Sequence, residues 1–215
     1  GEDYQAIARN MFPGGSYGNG AAMRVAPVGL FFHHDLDLVW QQAGLSALPT
    51  HVHPLAIEGA QLVALAVAVA VAPAPFNHDS FFDELERRCR TSEYRAKLAA
   101  ARGLSRAAQL PVLGNSVCAI DSAVTAIACF ALSPDNCVEA VTTAILLGGD
   151  TDTIAAMAGA IAGARCGVQS IPRHLLDRME DGVRGRTHVS ELAQRLCEAY
   201  VARQGKLDSL ANGTD

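Results

Sequence analysis

Leu146-Leu147-Gly148-Gly149-Asp150-Thr151-Asp152-Thr153-Ile154-Ala155-Ala156-Met157-Ala158-Gly159-Ala160-Ile161-Ala162-Gly163 reads as a loop that turns into a helix. The paired glycines let the backbone turn, Asp150 stands where a helix N-cap belongs, and small apolar residues carry the helix onward. Oxygen-bearing side chains fill Asp150 to Thr153 without a gap. On a continuous helix Asp150 and Asp152 would point roughly 200° apart. They converge only if Asp150 lies outside the helix and Asp152 in its first turn. Such hard oxygens suit Mg²⁺, Mn²⁺ or Ca²⁺ rather than zinc or copper. The run alone fits a capped helix with an acidic first turn equally well. The residues behind it favour a metal. Gly159 and Gly163 each cost a helix about 1 kcal/mol against Ala, which predicts close packing against neighbours. Acids at the start of a buried helix then need a cation or donors.

Working outward, the rest of the chain also reads as helices. The 215 residues are 50% hydrophobic and 18% charged, enough for one domain with a sizeable core. Alanine and leucine dominate and strand signals are scarce, so the expected class is all-α. A net charge of −5 with no basic run argues against direct nucleic-acid binding. Cys89, Cys118, Cys129, Cys137, Cys166 and Cys197 include no C-x-x-C pair. They read as buried free thiols in a reducing compartment, with a cytoplasmic location expected. The apolar run Leu62 to Ala72 is too short for a membrane span and fits a core helix.

Asp3 to Arg9 has the pattern of a helix already under way, so the sequence is expected to start inside a longer chain. Phe12-Pro13-Gly14-Gly15-Ser16-Tyr17-Gly18-Asn19-Gly20 is a glycine-rich loop leading to a helix that Pro27 kinks or breaks. Its backbone N–H groups could cradle phosphate, although a plain flexible turn has the same composition. Met23 stands where a dinucleotide fingerprint needs glycine, and there is no P-loop lysine. Asp35 is expected to cap the next helix. His51 and His53 precede Pro54, which suits the first position of a helix running to Ala72; they read as a loop or helix-start pair rather than metal ligands. Asp79 should open one polar helix to about Ala101. Leu113-Gly114-Asn115-Ser116 leads into an apolar helix in which Asp121 and Ser122 read as packing polar groups. Pro134 should start the helix that delivers Leu147 to the Gly148-Gly149 turn. Glu191 to Ala202 is a terminal amphipathic helix followed by a frayed polar tail.

Four loops in this order, around 15–20, 51, 114–117 and 150–153 on a helical frame, form one pattern. The chain resembles the ADP-ribosylglycohydrolase family, which includes dinitrogenase reductase-activating glycohydrolase and the serine-linked ADP-ribose hydrolases. The residues that carry the resemblance are Gly15 to Arg24, Thr50-His51, Leu113-Gly114-Asn115 and Leu147 to Thr153. Ser16-Tyr17-Gly18-Asn19-Gly20 looks closest to the serine-ADP-ribose and poly(ADP-ribose) branch.

The resemblance implies a compact orthogonal helical bundle with two Mg²⁺ ions in a cleft, Mn²⁺ being an alternative. Asp150, Asp152 and Thr153 would bind metal, with Asp152 touching both ions. Gly15, Ser16, Tyr17, Gly18 and Asn19 would hold the diphosphate and neighbouring ribose. Phe12 and Val117 would line the adenosine pocket, and His51 would contact the ligand. The implied partner is ADP-ribose or an ADP-ribosylated protein, and the implied reaction is hydrolysis of the bond at the distal ribose C1″. One departure stands out. The family carries a Thr-Asp-Asp metal motif and an upstream acid ahead of the glycine loop, whereas the acids before that loop here are Glu2 and Asp3. Two accounts follow: the sequence is the later portion of a longer enzyme, or it is a short, inactive form. The departure therefore keeps a non-catalytic ADP-ribose-binding or crystallin-like structural protein as the alternative. A hydrolase of another nucleotide-diphosphate sugar is a third.

Overall fold

The computed structural model describes residues 4–211, so the acids Glu2 and Asp3 and the polar tail at 212–215 lie outside the described residues. Among the described residues there is no strand, only one isolated bridge between Gly18 and Cys118. The all-α expectation holds. No described helix is long and apolar enough to cross a membrane.

The described residues up to Ser170 form one compact unit. Its helices are α1 (Tyr4–Met11), α2 (Ala26–Phe32), α3 (Leu36–Ala47), α4 (Pro54–Ala70), α5 (His78–Arg88), α6 (Ser92–Arg102), α7 (Ala119–Leu132), α8 (Cys137–Leu147) and α9 (Thr151–Cys166). α4 is the axis. Leu62, Leu65, Ala66 and Val67 are fully buried, because α2, α3, α7 and α9 all pack on this helix. Each of these leucine and valine side chains contributes about 1.5–3 kcal/mol by burial. A helix that is apolar all round from Leu62 onward has nowhere stable to sit except the centre of a domain.

Sequence punctuation sets most boundaries. The Asp35 carboxylate accepts from the Asp37 and Leu38 amides at 3.1 and 3.0 Å, and Pro54 occupies the first turn of α4. Pro27 sits in the first turn of a new helix after a short 3-10 turn at Ala22–Arg24, so the chain breaks at Val25.

The polar stretch after Pro75 departs from its expected single helix. Asn77, not Asp79, is the N-cap of α5, accepting from the Ser80 amide at 2.8 Å. The chain then breaks at Cys89, whose ψ of 129° is extended, and restarts as α6. The buried Glu58 carboxylate of α4 stabilises that break by accepting from the Arg90 and Thr91 amides at 2.5 and 3.1 Å.

Close packing explains only one of the two α9 glycines. A Cβ on Gly159 would lie 3.1 Å from Val141 of α8, whereas Gly163 has nothing within 4 Å. The thiols depart too: Cys118 and Cys166 are half-buried and Cys197 is exposed, while Cys89, Cys129 and Cys137 are buried.

The described residues from Ile171 onward form a second unit. It holds α10 (Arg173–Leu176) and α11 (Arg186–Ala211). Asp181 ties the start of α11 by accepting from the Thr187 amide and hydroxyl at 2.7 and 2.8 Å.

Candidate active site

Four short segments meet on the first unit. They are the glycine loop after α1, the 50–53 corner between α3 and α4, the 113–118 loop before α7, and the turn between α8 and α9. Each is a place where a helix begins or ends, so each exposes backbone donors or acceptors that a helix interior would have used.

The glycine loop lies directly on the 50–53 corner. Gly15, at φ +85°, comes so close that a Cβ would be 2.7 Å from a Val52 methyl and 2.8 Å from the His53 nitrogen. Only glycine tolerates both that dihedral and that approach. Tyr17 meets His53 edge-on, with ring centroids 5.5 Å apart. Arg24 clamps the two segments, donating to the Gly20 carbonyl at 3.3 Å and to the Thr50 hydroxyl at 2.6 Å. His51 is buried under the loop with its Nδ1 2.7 Å from the Thr50 hydroxyl, and a Cβ on Gly20 would lie 3.1 Å from its ring. Burial first, and the Arg24 charge second, push the His51 pKa below its ordinary value. Its ring is therefore biased toward the neutral form.

On its other side the glycine loop pairs with the 113–118 loop. The Asn19 amide donates to the Val117 carbonyl and the Ala119 amide to the Tyr17 carbonyl, both at 3.0 Å. The same 113–118 loop holds the acidic turn: the Asp150 amide donates to the Asn115 carbonyl at 2.8 Å, and Asn115 Nδ2 to the Leu147 carbonyl at 3.3 Å.

Asp150 sits at the N-cap position of α9, where its carbonyl accepts the Ile154 amide at 3.0 Å but its side chain makes no bond to the helix amides. Its carboxylate turns instead to side chains. Oδ2 accepts from Asn19 Nδ2 at 2.5 Å and Oδ1 from the Thr153 hydroxyl at 3.2 Å. Asn19 is buried, and its Nδ2 also donates to Ser122 at 3.0 Å. This contact between the glycine loop and the acidic turn spans 131 positions of sequence. Asp152 lies in the first turn of α9 and is exposed, while Thr153 is buried. Asp150 thus lies at the N-cap, ahead of the helix, and Asp152 within its first turn.

Most of the sequence-predicted residues thus converge. Asn19 touches Asp150 and Ser122, His51 lies under Gly18 and Gly20, and Val117 accepts from Asn19 through its carbonyl. Ser16 accepts from the Gly18 amide at 3.3 Å. Phe12 joins through its carbonyl, which accepts from the Gly15 amide at 2.8 Å, and its ring is exposed, as are the ring of Tyr17 and the side chain of Val117. Exposed apolar groups beside a polar loop suit an aromatic ligand. Sequence reasoning missed Ser122 as a partner of Asn19, and Asn115 as the residue that ties down the acidic turn. Asn115 acts largely through its carbonyl, which has no signature in residue type.

The donor chemistry fits a divalent cation in kind. Asp150, Asp152 and Thr153 offer hard oxygens at one turn, and Asp150 is pre-oriented by Asn19. Among the described residues no group of three or more His, Cys, Asp or Glu side chains comes together. Water and ligand oxygens would have to complete the coordination of Mg²⁺, as it commonly accepts.

Comparisons with known proteins point to one family. The ADP-ribosylglycohydrolase family profile matches residues 2–206. ADP-ribosylhydrolase ARH3 of Homo sapiens is 35% identical over 227 residues, covering 90% of this chain and 61% of that protein. ADP-ribosylhydrolase ARH3 of Bos taurus is 34% identical, covering 90% and 61%. An uncharacterized protein of Archaeoglobus fulgidus is 37% identical, covering 85% and 58%. Among solved structures, an ADP-ribosylglycohydrolase-related protein complex aligns with a TM-score of 0.62 and 28% identity, over 75% of this chain and 54% of that one. The chain spans about three fifths of the length of these curated relatives.

Proposed function

The chain belongs to the ADP-ribosylglycohydrolase family, and from that premise we propose that it takes part in Mg²⁺-dependent hydrolytic removal of ADP-ribose from modified protein side chains or from poly(ADP-ribose). The observation that carries the proposal is the Asn19–Asp150 hydrogen bond. It joins the loop suited to a nucleotide diphosphate to the turn suited to a cation, as a reaction at the distal ribose requires.

The chain's own residues would work as follows. The Ser16 and Tyr17 amides have no protein acceptor among the described residues and would donate to diphosphate oxygens. Phe12, Tyr17 and Val117 would cover the adenosine. Asp150, Asp152 and Thr153 would hold the metal, and Asn19 would keep the Asp150 carboxylate aimed at it. Bound there, Mg²⁺ would polarise the ribose hydroxyls and orient water, stabilising the charge that develops on the sugar. His51, biased toward the neutral form, would give a hydrogen bond without adding positive charge.

An Asp150→Asn/Asp152→Asn double variant should lose release of ADP-ribose from a modified peptide. Full retained activity would refute the metal assignment. The small number of acids brought together among the described residues favours a second reading, a non-catalytic ADP-ribose-binding or crystallin-like protein. Calorimetric titration with ADP-ribose separates the two. Metal-independent binding without turnover supports the second.

A further inference from the structure

The 113–118 loop touches both the glycine loop and the acidic turn. It runs from a 3-10 turn at Ala107–Leu113 to the start of α7 and has no regular backbone ladder of its own. A loop of this kind keeps its shape through side chains. Two residues outside the predicted ligand set supply them.

Lys97, on α6, donates Nζ to the Leu113 carbonyl at 2.5 Å and to Asp121 Oδ1. Asp121, on α7, accepts the Ser116 hydroxyl at 2.6 Å through Oδ2, and the Ser116 oxygen accepts the Cys118 amide at 3.2 Å. Gly114 lies against this carboxylate at φ +81°, where a Cβ would be 2.8 Å from Asp121 Cγ. The buried Thr125 donates to the Gly114 carbonyl at 2.6 Å. Both ends and the middle of the loop are therefore tied to one half-buried ion pair. The side chains of Lys97 and Asp121 are 27% and 24% exposed, so solvent screens them less than a surface pair.

We propose that Lys97 and Asp121 are positioning residues: their ion pair holds the 113–118 loop in the one placement that lets it bond the glycine loop and the Asp150 turn at the same time. Neither residue needs to touch the ligand. The pair acts through Leu113, Ser116 and Gly114, and the loop passes its placement on through Asn115, Val117 and Ala119. The effect on ligand affinity rests on the proposed nucleotide-binding function, whereas the effect on the loop does not.

Amide hydrogen exchange on the whole chain tests this in Lys97→Met and Asp121→Asn, the second being near-isosteric and so protected against simple failure to fold. The amides of Asn19, Ala119 and Asp150 bond across the loop and should exchange about tenfold faster or more, the loss expected for bonds that depend on a charged group. Ala64 and Leu65 in the middle of α4 should change only with global stability. Leu98→Ala, which empties a buried site on the same helix, is the control and should lower protection without singling out the loop. ADP-ribose affinity should weaken about tenfold in Lys97→Met and stay unchanged in Leu98→Ala. The proposal is overturned if Asn19, Ala119 and Asp150 keep their protection relative to α4 in both variants, or if Leu98→Ala exposes them as selectively. If the three amides respond as expected but wild type does not bind ADP-ribose, the positioning role stands and the nucleotide reading falls.

Discussion

Replacing Gly149 by Ala should dislocate the acidic turn. Gly149 has φ +72°, and its added Cβ would lie 2.3 Å from the Asn115 carbonyl oxygen and 2.5 Å from Asn115 Cγ. The positive φ costs an L-residue about 1–3 kcal/mol. The overlap adds about 1–3 kcal/mol, because the atom in the way belongs to the backbone and cannot rotate aside. That oxygen also accepts the Asp150 amide, so displacing it loses a further ~1 kcal/mol. The total is about 3–7 kcal/mol. Gly148 is the internal control: it has φ +76°, and a Cβ added there would meet nothing within 4 Å. Gly148→Ala should cost only the backbone strain, about 1–3 kcal/mol. The entropic gain of Gly→Ala in the unfolded chain is common to both and cancels. Urea unfolding of the two variants measures the difference, and Mg²⁺ titration calorimetry reads the site. Gly149→Ala should be the less stable by about 2 kcal/mol or more, and should bind the ion more weakly. Equal losses would show that the contact between Gly149 and Asn115 does not hold the turn.

Two further outcomes follow from the same geometry. Asn19→Leu removes both Nδ2 bonds and leaves Asp150 and Ser122 without that donor, which should cost about 1.5–3 kcal/mol in urea unfolding; a loss below 0.5 kcal/mol, taken as roughly the noise of a neutral surface change, would argue that the bond is not formed in solution. His51 should give stability a pH slope. Its folded-state pKa is lowered, by burial and then by Arg24, so as pH falls through about 6.5 the unfolded chain binds the proton first. The contribution is complete above that window and is lost below it until the folded pKa is reached. Stability of wild type minus that of His51→Gln, followed from pH 7.5 to pH 5, should therefore decline, and a flat or rising difference would contradict the burial of a neutral ring.

The helices were legible because their signals are local. The uninterrupted apolar run Leu62 to Ala72, in a stretch bounded by Pro54 and Pro73, fits a core helix, and Asp35 caps α3 with the side chain that the residue type supplies. The loops of the candidate site were legible for a related reason. Glycines at 15, 114, 148 and 149 mark positive φ, and acids at 150 and 152 mark where a cation or donors are needed. The break between α5 and α6 was not legible. No glycine or proline lies between Cys89 and Thr91, and the acceptor that stabilises the break comes from Glu58, more than thirty positions away. Local sequence cannot report a helix end that is satisfied from another helix.

The same distinction separates the candidate site's parts from their assembly. Gly15, Asn19, His51 and Asp150 each announce a special role by type, yet none announces its neighbour. The link from Asn19 to Asp150 needs the Asn115 and Val117 carbonyls to stand at particular places, and a carbonyl belongs to every residue alike. Asp121 illustrates the consequence. Its place on an apolar helix suggests a polar group that merely packs, but Gly114 leaves room for its carboxylate beneath the loop, and Lys97 arrives there from a different helix. Burial alone would raise its pKa, but hydrogen bonds from Lys97 and Ser116 together outweigh that and hold it below the ordinary carboxylate value. A group more stable as the anion while half-buried marks a place where the fold has committed donors to one carboxylate. Those donors lie on the loop and on the helix behind it, so the commitment concerns the shape of the loop and not a reacting atom. The chemistry of this surface is therefore written in residues that sequence exposes, and its geometry in residues whose purpose appears only when four distant segments are folded together.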